Sequence, residues 1–115
     1  MVAIRYEDEK DDFRRIFLSG RLDTAGSEEI ASQLAEVAGS AQRRVLIDLS
    51  NVNFLSSMGI RALIASAKEQ EAKGGRVVLN AGGNDVVGRT LEATGVDQLI
   101  PVFEDIADAE RALLD

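Results

Sequence analysis

Apolar residues recur along this chain in two different periods, and the switches between them mark out nine elements. Val2, Ile4 and Tyr6 alternate with polar neighbours, as in a strand with one buried face. The charged run at 7–12 predicts a turn, and a second strand follows over 13–18, ended by Gly20. These two strands read as an opening hairpin. Over 27–38 the period becomes helical, with Ile30, Leu34 and Val37 on one stripe and Gly39 as a C-terminal cap. Residues 45–49 are apolar except at Asp48, a short run suited to the middle of a sheet covered on both faces. A second helix is predicted over 57–73, carrying Ile60, Leu63, Ile64 and Ala67 on one stripe and stopped by Gly74-Gly75.

A buried strand at 77–79 leads to a Gly82-Gly83-Asn84 loop. Asn84 or Asp85 caps a third helix through Leu91, and Gly95 followed by Val96 fits a Schellman ending. A last strand over 99–103 contains Pro101, which puts it at an edge or ends it early. Asp105 then caps a final helix with Ile106, Ala109 and Leu113 on one face. Strands alternating with helices require a largely parallel sheet. Loops at 20–24, 51–57 and 82–84 should therefore leave the carboxyl ends of parallel strands and share one end of the molecule, where open α/β sheets carry their sites.

Composition narrows what such a site does. The 115 residues, 45% hydrophobic and 29% charged, suit one compact domain spanning 1–115 with a core of its own. Thirteen Lys and Arg against twenty Asp and Glu give a net charge of −7, the wrong sign for neutralising phosphates on nucleic acid or an anionic membrane. The absence of Cys removes disulfides, thiolate nucleophiles and Cys-based metal sites. The absence of His removes the Ser-His-Asp triad, an imidazole base and the usual zinc sites. The first residues alternate and then meet Glu7-Asp8-Glu9, unlike a targeting segment, and no apolar run is long enough to span a bilayer. A cytoplasmic protein without a cofactor is expected.

The most informative stretch runs from Asp48-Leu49-Ser50 through Asn51-Val52-Asn53-Phe54-Leu55 to Ser56-Ser57-Met58-Gly59, a buried strand, a short loop and a helix start. Here the chain resembles the STAS domain of anti-sigma factor antagonists, in which a strand ending Asp-Leu-Ser leads to a loop and a serine that opens a helix before glycine. Gly20-Arg21-Leu22-Asp23, Gly74-Gly75 and Leu91-Glu92-Ala93-Thr94-Gly95 extend the resemblance over the whole chain. It implies an α/β fold, a mixed and mostly parallel β-sheet with an N-terminal hairpin strand and about four helices. It also implies partner switching: the unphosphorylated form binds an anti-sigma factor of the serine-kinase type and frees its sigma factor. Phosphorylation by that kinase ends the complex, and a PP2C-type phosphatase restores it.

The family's phosphate acceptor maps onto Ser57; Ser56 stands where many members carry aspartate and competes as the site. Without a family, Ser57 reads simply as the helix N-cap. The partner surface is expected to comprise Asp23, Thr24, Asn53, Leu55, Ser56, Met58 and Arg61, with the protein a monomer or weak dimer that neither binds nucleic acid nor inserts in a membrane. Arg61, one turn beyond Ser57, either pairs with its phosphate or is solvated.

Other readings compete. Asp23 and Asp48 resemble an acid/base or metal pair, though two carboxylates without a substrate apparatus make a poor Mg²⁺ enzyme. Asp23 reads better as a turn residue and partner contact, and Asp48 as a partner of local backbone amides. Gly82-Gly83-Asn84 lacks the Lys and spacing of a P-loop and reads as a tight turn. Ser57-Met58-Gly59 lacks the glycine and histidine of a nucleophile elbow. A STAS subunit that binds the cytoplasmic ATPase of a membrane transporter, a partner-switch regulator of another process such as secretion, and an independent enzyme such as a nucleotidase are the alternatives.

Overall fold

The computed structural model describes residues 2–9, 13–39 and 44–114. Strands β1 (Val2–Glu9) and β2 (Phe13–Leu22) form an antiparallel hairpin longer than the periodicity predicts. The acidic residues expected to turn the chain are strand residues: Glu7 lies opposite Arg15 and Asp8 opposite Arg14. The Arg14 guanidinium bonds both Asp8 oxygens, at 2.7 and 3.1 Å. Opposite charges at facing positions stabilise an antiparallel pair, so this run extends the strand. Residues 10–12 of the predicted turn lie outside the described residues.

Gly20 does not end β2. Its φ of 92° falls where the ladder to the next strand slips register, and the strand continues to Leu22. Helix α1 (Thr24–Gly39) begins three residues before the predicted start, because Asp23 supplies the cap. The Asp23 carboxylate accepts from the Gly26 N–H and its carbonyl from the Ser27 N–H, both at 2.8 Å. Gly39, the expected cap, is the last helical residue, and residues 40–43 lie outside the described residues.

Strand β3 (Arg44–Leu55) is the largest departure from expectation, since most of the predicted 51–57 loop is strand. Asn51, Val52, Phe54 and Leu55 pair with Ser19, Gly20, Arg21 and Leu22 of β2, and the β-bulges in this ladder hide the strand period from the sequence. Helix α2 (Ser57–Ala72) follows after one residue. It ends at Gly74, φ 82°, with the Gly75 N–H donating to the Gln70 carbonyl at 2.7 Å. Then come β4 (Arg76–Asn80), α3 (Asp85–Ala93), a 3₁₀ turn at Val96–Gln98 that the periodicity does not predict, β5 (Val102–Phe103) and α4 (Ile106–Leu114). β5 lies at the sheet edge, as expected, but it begins only after Pro101, so Leu99 and Ile100 of the predicted strand fall outside it, and Asp105 caps α4 through the Ala107 N–H at 2.8 Å.

The sheet order is β1-β2-β3-β4-β5, antiparallel only between β1 and β2. Crossovers that advance in one direction with one hand put their helices on one face. Accordingly Ile30 and Leu34 of α1, Ile60 and Leu63 of α2, and Val87 and Leu91 of α3 share a core with Ile16, Ile47 and Leu79. On the opposite face, Phe13, Leu46 and Val78 are covered by Ala109 and Leu113 of α4. No described helix is long and apolar enough to cross a membrane.

Candidate functional site

Because β2, β3 and β4 are parallel, their carboxyl ends bring Asp23, the Ser56-Ser57 pair and the Gly82–Asn84 loop to one end of the sheet. The junctions are bonded directly. The Ser56 N–H donates to the Leu22 carbonyl at 2.8 Å, tying the start of α2 to the end of β2. Gly59 lets the two approach: a Cβ there would lie 2.9 Å from Leu55 Cδ1 and 3.1 Å from Leu22 Cβ. The glycine of the motif is therefore a close-packing residue.

The two serines take different positions. Ser56, not Ser57, is the N-cap: it is extended at φ −85° and ψ 171°, and its hydroxyl accepts from the Gly59 N–H at 3.2 Å. Ser57 is the first helical residue, exposed and outside the cap. The reading of Ser57 as N-cap is thus corrected by one residue, since β3 runs to Leu55 and leaves only Ser56 in the extended conformation a cap needs.

Of the other expected contact residues, Thr24, Asn53 and Arg61 are exposed, while Asp23 and Met58 are half-buried. Leu55 is corrected: it is 6% exposed and belongs to the core. Phe54, 38% exposed, is the apolar group at the surface instead, with the Arg21 guanidinium 4.5 Å from its ring centre. Sequence reasoning missed Phe54, although Phe54 and Leu55, adjacent in a strand, cannot both face the core. Val86, 52% exposed in the first turn of α3, adds a second apolar group at this end.

Asp23 and Asp48 do not form a pair. Asp48 lies opposite Phe17 on β2, and Asp23 follows six residues along, about 20 Å at strand rise. No group of three or more potential metal-ligating side chains exists among the described residues. The Asp23 carboxyl is held below its ordinary range, first by the Gly26 amide and then by Arg21, whose Nε is 3.6 Å away.

Asp48 is buried and accepts from the Ser50 N–H at 3.0 Å and the Ser50 hydroxyl at 2.6 Å, as the sequence reading expects. It also accepts from Arg15 at 2.8 Å, an ion pair not anticipated. Burial pushes its carboxyl up, but Ser50 and Arg15 together outweigh burial and the net shift is downward from 3.8. The folded state therefore favours the ionised form. Its stabilisation is complete above the unfolded value of 3.8 and is lost as pH falls through the lower folded value. Asp48→Asn should cost about 1–3 kcal/mol at neutral pH by leaving the Arg15 charge without its counterion. In urea titrations the gap between wild type and variant should close as pH drops below 3.8; a gap independent of pH would show that this carboxylate does not carry the effect.

A third group completes this end. The Asn84 side-chain amide donates to the carbonyls of Val52, Ser50 and Leu49, at 2.6, 3.1 and 3.4 Å, while its Oδ1 accepts from the Val87 N–H at 3.3 Å and caps α3. Gly82, φ 59°, packs so closely that a Cβ would come 2.7 Å from Ser50 Cβ. The tight-turn reading of this loop fits its geometry, which serves β3.

The comparisons agree with this architecture. The family model of the STAS domain matches residues 7–109. The Bordetella bronchiseptica protein BtrV, to which an anti-sigma factor antagonist role is ascribed, is 32% identical over 62 residues, 54% of this chain and about half (53%) of that protein's length. An anti-sigma F factor antagonist of Paenibacillus polymyxa is 27% identical over 93 residues, 80% of this chain and 79% of that one. The crystal structure of an anti-sigma factor antagonist from Mycobacterium paratuberculosis superimposes with a TM-score of 0.89 at 25% identity, covering 100% of this chain and 96% of that one.

Proposed function

Since the chain belongs to the STAS domain family, we propose that it is an anti-sigma factor antagonist, one domain over 1–115, that works in the cytoplasm by partner switching. Its unphosphorylated form binds an anti-sigma factor of the serine-kinase type and releases that factor's sigma factor. The kinase, carrying ATP and Mg²⁺, phosphorylates Ser57 and ends the complex, and a PP2C-type phosphatase reverses the step. The chain is the substrate in this cycle, and binding is its activity. Asp23, Thr24, Asn53, Ser56, Met58 and Arg61, joined by Phe54, are the proposed contacts.

The observation that carries this reading is Ser57 itself, exposed at the first position of α2, with the exposed Asn53 and Phe54 before it in the chain and the exposed Arg61 one turn after it. Ser56 is the poorer acceptor, because its half-buried oxygen already takes the Gly59 N–H, and losing that cap costs about 1 kcal/mol. A phosphate on Ser57 adds about −1.5 to −2 charges beside a helix N-terminus, which favours an anion by about 0.3–1 kcal/mol. The folded chain therefore accepts the modification, and the switch is local charge without refolding.

Incubation with the anti-sigma kinase and Mg-ATP, followed by peptide mass spectrometry, is expected to find one phosphate on Ser57 and none on a Ser57→Ala protein. A modified Ser56, or an unmodified chain, overturns the assignment.

A further inference from the structure

We infer that Asn84 is a positioning residue for the segment that presents Ser57, standing in for the strand that β3 lacks beyond Asp48. The inference deepens the proposed phosphorylation of Ser57 and rests on that reading for its functional half.

The argument begins with an unequal pair of strands. β3 is 12 residues long and β4 only 5, and their ladder ends at Asp48 opposite Asn80. For the remaining residues of β3, up to Leu55, the side toward β4 has no strand to bond among the described residues. On the other side the ladder to β2 slips register twice, between Phe17 and Ser19 and between Gly20 and Arg21. A strand extension bonded on one side through a bulged ladder is held less firmly by backbone pairing than the part of β3 bonded on both sides. Three of its carbonyls, on Leu49, Ser50 and Val52, converge on the Asn84 side-chain amide. Buried or half-buried carbonyls without strand partners need such a donor.

The same side chain does a second job at its other end. Oδ1 accepts from the Val87 N–H and the Asn84 carbonyl accepts from the Gly88 N–H at 2.9 Å, so the clamp is fixed to the first turn of α3. Only an amide serves both: a carboxylate or hydroxyl keeps the cap, but a carboxylate has no donor for the three carbonyls and a serine hydroxyl is too short and offers one. The segment leading to Ser57 is thereby held between Leu22 of β2, through the Ser56 N–H, and Asn84 of α3.

The test uses the full chain and two variants that keep the α3 cap while removing the clamp, Asn84→Asp and Asn84→Ser. Asp105→Ala, which removes the cap of α4 on the other face of the sheet, serves as a control for general destabilisation. Hydrogen exchange followed by mass spectrometry reads the local state without any partner. Amides of 51–57 are expected to exchange at least tenfold faster in both Asn84 variants, while those of α1 and β4 change no more than in Asp105→Ala. Phosphorylation by the anti-sigma kinase should then show KM raised several-fold in the Asn84 variants with kcat nearly kept, and neither constant moved in the control. Wild-type exchange at 51–57 in both variants overturns the clamp. A uniform rise across the chain, equal to the control's, reduces Asn84 to an ordinary cap and also overturns it. If the wild type itself is not phosphorylated, the Ser57 reading fails, and the exchange data still decide the clamp.

Discussion

Phosphorylation of Ser57 is expected to weaken binding of the anti-sigma partner about a hundredfold or more. Carrying a dianion into an interface costs several kcal/mol in desolvation unless a cationic pocket receives it, and each 1.4 kcal/mol is a factor of ten in affinity. The group's own surroundings offset little of this. The α2 N-terminus contributes about 0.3–1 kcal/mol, and the exposed Arg61, one turn on, adds only a few tenths. Ser57→Asp, with a single charge closer to the backbone, should show part of the loss, about tenfold. Ser57→Ala should bind as the unmodified protein does. Isothermal titration of the four forms against one partner measures the series. Their thermal midpoints should stay within a few degrees of one another, because Ser57 is exposed and outside the cap. Equal affinities for the modified and unmodified forms would sink the electrostatic switch.

Gly26→Ala should give a large loss of stability for a single added methyl group. Gly26 is buried in the first turn of α1, and a Cβ there would overlap the Arg21 carbonyl oxygen and stand 3.2 Å from the Asp23 carboxylate that caps the helix. Overpacking by one methyl costs about 1–3 kcal/mol where side chains can move aside. Here the obstruction is backbone, so the cost lies at the upper end or beyond, and the cap is disturbed as well. A loss near 3 kcal/mol lowers the thermal midpoint of a domain this size by roughly 10–15 °C. Calorimetry that finds a shift of only two or three degrees would mean that α1 slides to make room at little cost. Since the overlap lies between Arg21 and Asp23, a folded Gly26→Ala protein should also bind its partner less well.

Much of this fold is legible in the sequence, and the exceptions share physical causes. The alternation of strand and helix periods anticipates each described α-helix and strand, the largely parallel sheet and the end at which the junctions gather, though not that two of the predicted loops are partly strand. Residues buried on the usual spacing, such as Ile30, Leu34, Ile60 and Leu63, announce themselves. What periodicity cannot show is a strand whose phase breaks. β3 changes phase at two bulges, opposite the steps from Phe17 to Ser19 and from Gly20 to Arg21, so its outer half reads as a loop, Leu55 as a contact and Phe54 as nothing in particular. A one-residue error follows at the helix start, where the cap passes from Ser57 to Ser56.

From the sequence alone the acidic run of β1 reads as a turn, because its partners, Arg14 and Arg15, belong to the next strand. Long-range polar bonds were invisible for the same reason. Nothing local to Asp48 points to Arg15, 33 residues away, nor anything near Asn84 to Val52, 32 residues away. The motif itself, from Asp48 to Gly59, was legible as a unit, and the structure supplies the reason for each end: a buried carboxylate at one and a close-packed glycine at the other.

The consecutive strand order has a consequence for how the chain comes into being. Every strand pairs with the next one synthesised, at separations such as Ile16 to Ile47 and Ile47 to Leu79. On a ribosome the sheet can therefore grow in the order in which it is made, and no strand waits for one beyond its successor. The exception is the second face. Until α4 emerges, Phe13, Leu46 and Val78 lack their cover, which the nine residues of α4 supply. A released chain truncated after β5 would keep the elements that carry the Ser57 end and lack the helix that covers this apolar face.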